Sequence, residues 1–226
     1  MNKKIRTLDV FSGIGGISRG LAPFCSPVLY CEVDKFCTAV LTERMSTGDL
    51  EPAPIHSDIR TLHIPKTGMD IDMLCGGFPC QDISCIGLQK GIVEGHRSSM
   101  FFEMVRILDE ALGIRMVFLE NVGNIMVCGF TEVLEALTSR GFDMAWTMRA
   151  ASVFGAPHCR NRWFCLAAKQ GVDLGEFADL CIDRDQHANE AAAWYTSEPE
   201  RRYTAKPEVD STDSTFDPLW IHRCHT

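Results

Sequence analysis

Cys80 stands in the run Gly76-Gly77-Phe78-Pro79-Cys80-Gln81, immediately after an apolar stretch that reads as a buried strand. A cysteine attacks as its thiolate. A loop at a strand end, near helix N-terminal dipoles, is a place where a thiol pKa can fall. Pro79 fixes φ beside it and limits the loop. Cys75 falls within the strand and Cys85 in a polar loop, and the 75/80/85 spacing is not one used for zinc. Glu120-Asn121-Val122 follows a second apolar run, Met116–Leu119. A carboxyl at the end of a buried strand is partly desolvated, which favours its neutral form, and a neutral carboxyl can donate a hydrogen bond to a ring nitrogen. Arg160-Asn161-Arg162 places two guanidiniums on one side of a strand-like segment, where they could hold a phosphate or brace a carbonyl.

A second group of residues suits a nucleotide. Asp9-Val10-Phe11-Ser12-Gly13-Ile14-Gly15-Gly16 is a strand end followed by a glycine-rich turn and a helix start. Glycines let backbone approach a ligand, and a helix N-terminus favours negative charge. The turn lacks the full G-x-G-x-x-G spacing of nicotinamide enzymes. Glu32 ends the next strand-like run, where a carboxylate can accept from two ribose hydroxyls. Asp58 ends the third run and could accept from an adenine amine or cap a helix.

The elements that must position these residues alternate. Strands are predicted at Arg6–Phe11, Val28–Glu32, Ile55–Asp58, Ile71–Cys75, Met116–Glu120, Asp143–Ala150 and Arg162–Ala167. Helices are predicted at Gly16–Leu21, Lys35–Glu43, Ser99–Leu112 and Phe130–Ser139. In the third helix Phe101, Met104, Val105, Leu108 and Leu112 recur at helical spacing. Such alternation predicts an α/β fold with a mostly parallel sheet, and the nucleotide residues then share one sheet edge.

Taken in order, the glycine-rich turn, the Pro-Cys loop, Glu-Asn-Val and Arg-x-Arg resemble the cytosine-C5 DNA methyltransferases across residues 7–168. The resemblance implies a Rossmann-like methyltransferase fold with an antiparallel end strand and helices on both faces. It implies S-adenosylmethionine as cofactor and double-stranded DNA as partner. Phe11, Ser12, Gly13, Gly15, Gly16, Glu32, Val33, Asp58, Ile59 and Pro79 would bind the cofactor. Cys80 would add to C6 of a flipped-out cytosine, Glu120 would bond N3, and Arg162 would contact the base carbonyl, with Arg160 and Asn121 beside them. The Ile86–His96 loop would close over the DNA. Val33 stands where the family often has an aromatic residue, and His158 where it commonly has Gln. The tRNA-modifying branch usually has Pro in place of Phe78 and a Cys-Phe-Thr segment, and this chain has neither. No metal site is expected, and His222-Arg223-Cys224-His225 reads as chance composition.

The chain divides into a catalytic domain, 1–169, and a short acidic extension, 170–226. The first holds 17 Lys/Arg and 18 Asp/Glu, and the second 5 and 12, so the net charge of -8 sits almost wholly in the extension. A near-neutral body leaves room for a basic cleft from Arg97, Arg149, Arg160 and Arg162. Phe216, Leu219, Trp220 and Ile221 suggest a late packing patch. No Gly-Asn segment of the kind that completes the family's cofactor site is found. A compact enzyme, half of a split enzyme completed by a second chain, and a non-catalytic interaction protein all remain open. The 11 cysteines, several in apolar runs, predict an intracellular, reducing setting (cytoplasm, or the nucleus of a eukaryotic host). No stretch is apolar enough to suggest a membrane span.

Overall fold

The computed structural model describes residues 4–64, 69–79, 100–127 and 129–172, together with the backbone of 222–224. Five strands run parallel: β1 (Ile5–Val10), β2 (Cys25–Cys31), β3 (Ile55–His56), β4 (Met73–Gly76) and β5 (Met116–Val122). A hairpin of β6 (Phe142–Ala150) and β7 (Asn161–Lys169) follows, with β7 antiparallel to both β5 and β6. A last strand, β8 (His222–Cys224), pairs antiparallel with β6. The sheet order is β3-β2-β1-β4-β5-β7-β6-β8. β8 is a strand that the sequence analysis did not predict. Three residues without an alternating apolar pattern carry no strand signal, and only the pairing with Met144–Trp146 makes them one.

Among the described residues four helices flank the sheet: α1 (Gly16–Leu21), α2 (Lys35–Ser46), α3 (Met100–Glu110) and α4 (Phe130–Thr138). Strand alternation sorts them onto two faces. Leu8, Val10, Leu74, Val117, Leu119, Trp163 and Cys165 face the large core with Phe101, Met104 and Ile107 of α3 and Val133 and Leu137 of α4. Met73, Cys75, Met116 and Ala168 face the other way, with Ile17 and Leu21 of α1 packed against them. Tyr30 lies on that second face with Leu41 of α2. Each fully buried apolar side chain contributes about 1.5–3 kcal/mol.

α3 buries Phe101, Met104, Val105 and Leu108 as its spacing predicts, but Leu112 is 74% exposed. The helix stops at Glu110, so position 112 leaves the helical face. Arg106 explains how α3 is held: it pairs with Glu103 and Glu110 on its own helix and donates to the Ile59 and Leu62 carbonyls. β3 ends at His56 rather than Asp58. Asp58 instead caps a 3-10 turn at Ile59–Thr61, accepting from Arg60 N. No helix among the described residues is long and apolar enough to cross a membrane.

Candidate active site

The glycine-rich turn leaves β1 through Phe11, which adopts φ 53°. A bulky residue in the left-handed region is uncommon, and such backbone gathers at functional sites. Gly15 starts α1 at φ 84°, and a Cβ there would lie 2.5 Å from Leu50. Ser12 is buried and spent on the fold: its hydroxyl donates to Asp9 O and accepts from Cys31 N. Gly13 N donates to Glu32 Oε2 at 2.7 Å, and Asp34 N donates to Oε1 at 2.8 Å. Each Glu32 oxygen is thus aimed by one backbone donor and keeps a lone pair for a ligand hydroxyl.

Asp58 forms a bidentate pair with Arg60, which holds its carboxyl down at about pKa 2. Capping and pairing therefore occupy part of its accepting capacity. Ile59's side chain is buried in the main core, and its carbonyl accepts from Leu62 N and Arg106 Nη2. Val33 is 68% exposed at the β2–α2 corner, and Phe36, three residues on, is 73% exposed. Sequence reading passed over Phe36 because it falls inside the helix predicted from Lys35.

Beneath the turn lies a carboxyl that sequence reading also missed. Asp9 is fully buried on β1, and desolvation raises its pKa to about 7 despite a hydrogen bond from Ser18 on α1. Cys75, paired with Asp9 across β1–β4, is buried, and desolvation pushes its thiol well above the ordinary range. Cys165 is buried likewise, and neither is a reactive thiolate.

β4 delivers Gly76, Gly77, Phe78 and Pro79 to the same edge. Phe78 is buried against Phe101, with ring centroids 5.1 Å apart, while Pro79 is exposed. Cys80, Arg97 and the Ile86–His96 loop lie outside the described residues. Asn121 is buried, and its Nδ2 donates to Phe78 O at 3.1 Å. It ties β5 to the segment that leads into Cys80, so its side chain positions that segment.

Glu120 and Arg162 meet because β7 is antiparallel. β7 begins where β5 ends, with Val122 opposite Arg162, and Glu120 lies two residues back on the same face. Arg162 Nε is 2.7 Å from Glu120 Oε1. The Glu120 carboxyl, partly buried at the strand end, is thus held against a guanidinium. Gly77 makes room for it: a Cβ there would lie 2.8 Å from Glu120 Oε2. A cleft of about 700 Å3 brings together Phe11, Ser12, Gly16, Gly77, Glu120 and Arg162, with Arg149, Phe154 and Arg160 also on its walls. One cleft thus joins the glycine-rich turn, Gly77, Glu120 and the Arg-x-Arg segment.

The family model for C-5 cytosine-specific DNA methylases matches residues 5–216. The chain belongs to that family. It is 34% identical over 172 residues to the type II methyltransferase M.CviJI of Paramecium bursaria Chlorella virus IL3A, covering 76% of this chain and 45% of that protein. It is 31% identical over 178 residues to M.HhaI of Haemophilus parahaemolyticus, covering 76% and 52%. A crystal structure of a Spodoptera frugiperda DNMT2 mutant superposes with a TM-score of 0.60 at 19% identity, covering 75% of this chain and 51% of that one, a likeness of fold. The chain spans about half the length of the curated relatives it matches.

Proposed function

We propose that this methylase-family chain transfers a methyl group from S-adenosylmethionine to C5 of a cytosine in double-stranded DNA. The Glu120–Arg162 pair, in one cleft with the glycine-rich turn and Gly77 of the run that leads to Cys80, carries the reading.

The turn fits the cofactor. Glu32, oriented by Gly13 N and Asp34 N, accepts from the ribose. Phe11 and Gly16 line the cleft between that point and Glu120. The sulfonium supplies a methyl group and leaves as S-adenosylhomocysteine.

Cys80 adds as thiolate to C6, forming a C–S bond and moving electron density toward N3. Glu120 in its neutral form donates a hydrogen bond to N3 and stabilises that charge, and Arg162 orients Glu120 and reaches the base carbonyl. C5 then takes the methyl group. Loss of the C5 proton returns the electron pair that breaks the C–S bond and frees Cys80. The base must leave the duplex to reach these groups. Arg149, Arg160 and Phe154 on the cleft walls suit a phosphate backbone and an unstacked base.

Within this reading residues 1–169 form the catalytic domain and 170–226 a reduced recognition region or packing extension. The pairing of β8 with β6 supports a packing role. A chain that needs a second subunit is the alternative, favoured by the short span relative to its relatives. Methyl incorporation from labelled S-adenosylmethionine into duplex DNA tests both. Purified chain alone should turn over, and Cys80→Ala should abolish turnover with cofactor affinity unchanged. Cofactor binding without turnover in the unmodified chain would favour the two-subunit form. Turnover by Cys80→Ala would overturn the covalent mechanism.

A further inference from the structure

The glycine-rich turn is held from behind by the end of α2. Gly48, at φ 78°, stops that helix in the left-handed region. Gly48 N then donates to Met45 O and Asp49 N to Arg44 O, the Schellman arrangement. The chain reverses there and heads back toward α1. Leu50 follows, buried, with Cδ1 2.5 Å from where a Cβ on Gly15 would fall. Leu41 of α2 lies 3.0 Å from the same point. The missing side chain of Gly15 is therefore the place where the α2 end packs on the turn.

The same reversal arranges three charges. Asp49 pairs through Oδ1 with Arg19 of α1 and through Oδ2 with Arg44 of α2, the latter at 3.6 Å. Arg44 Nη1 donates to Ile14 O in the turn at 2.6 Å. One guanidinium thus faces a carboxylate with Nε and a backbone carbonyl with Nη1, a use of its rigid fork that an ammonium cannot copy. The Ile14–Gly15 peptide is fixed at both ends, by Arg44 on its oxygen and by Ser12 O on Gly15 N. Ser12 N is fixed in turn on Cys31 O. Gly13 lies between these anchors at φ 53°, and its N is the donor to Glu32. Glycine has little conformational preference of its own, so bonds from outside must set its direction.

We propose that Arg44 is a positioning residue for the cofactor turn: by pinning the Ile14 carbonyl it keeps Gly13 N on Glu32, in the geometry that receives the cofactor ribose. Asp49 holds the guanidinium in place for that task. The assignment rests on the proposed cofactor role of Glu32. Neither Arg44 nor Asp49 lines the cleft of Glu120 and Arg162. Both are also partly exposed, and ion pairs at such places add little to stability. Orientation of the turn is the contribution left to them.

A double-mutant cycle of Arg44→Gln and Glu32→Gln in the full chain, read by titration calorimetry with S-adenosylmethionine, tests it. Arg44→Gln alone should weaken binding about tenfold, the size of one charge-assisted hydrogen bond. In the Glu32→Gln background the same change should cost less than about threefold, because a residue that acts through Glu32 is not additive with it. A merely structural role would give the same loss in both backgrounds. Asp49→Asn, the milder variant, should weaken binding a few-fold in the parent and leave Arg44→Gln unchanged. Full affinity in Arg44→Gln, or equal losses in both backgrounds, would overturn the assignment while a loss in Glu32→Gln alone keeps the cofactor reading. Full affinity in Glu32→Gln would overturn that reading and the assignment with it.

Discussion

The β3-β2-β1-β4 half of the sheet and the β5-β7-β6-β8 half do different work. The first is wholly parallel, has helices on both faces and ends in loops that aim backbone donors, as Gly13 N and Asp34 N do at Glu32. The second reverses direction at β7, and that reversal brings Arg162 from the start of one strand to Glu120 near the end of another. One half builds a site from backbone at strand ends, the other from charged side chains across strands. β4 lies between the two halves, and Gly77 just after it lines the cleft that both share.

The largest separation of the halves should come from Glu120→Ala and Arg162→Ala. Each should lower methyl transfer by about 10²–10⁴ and leave cofactor affinity nearly unchanged. Glu32→Gln should do the reverse, weakening cofactor binding about tenfold or more through loss of charge-assisted bonds. Isothermal titration beside single-turnover rates reads both. Parallel losses in all three variants would break the comparison.

The two glycines of β4 sharpen it. A Cβ at Gly76 would lie 2.5 Å from the Val10 carbonyl on β1, so Gly76→Ala should destabilise by about 1–3 kcal/mol, seen in thermal melts. A Cβ at Gly77 strikes the Glu120 carboxylate instead. Gly77→Ala should keep the melting temperature near that of the parent and lose activity.

Asp9 gives the first half a pH signature. Its folded pKa of about 7 lies above the unfolded value of 3.8. Stability from this group is therefore fully present below about pH 4 and is lost as pH rises through about 7. Asp9→Asn should flatten that slope and raise stability at pH 8 relative to the parent, measured by urea unfolding at several pH values. The smallest effect should come from charge alone. Converting the acidic residues of 173–221 to Asn and Gln should raise DNA affinity a few-fold at low salt and little at high salt. No change at low salt would place that charge away from the DNA path.

Much of the first half was legible because its signals are local. Apolar strand runs, the glycine turn and the helix spacing of Phe101, Met104, Val105 and Leu108 all sit within a few residues of one another. Asp58 misled the strand boundary because capping competes with pairing, and only tertiary structure decides which wins. In the second half, motif order pointed to Glu120 and Arg162, yet their ion pair depends on β7 register, which no local pattern encodes. Asp9 was hidden among strand apolars, since a buried acid and an exposed one look alike in a sequence. β8 was missed because three residues become a strand only when β6 offers an edge.

The most direct test of the central claim uses the purified full chain, S-adenosylmethionine and a duplex carrying 5-fluorocytosine, whose C5 fluorine cannot leave as a proton would. The account predicts a covalent protein–DNA complex that survives denaturation, maps by peptide mass spectrometry to Cys80, and disappears in Glu120→Ala. A complex at another residue, or none although the chain binds both cofactor and duplex, would contradict it.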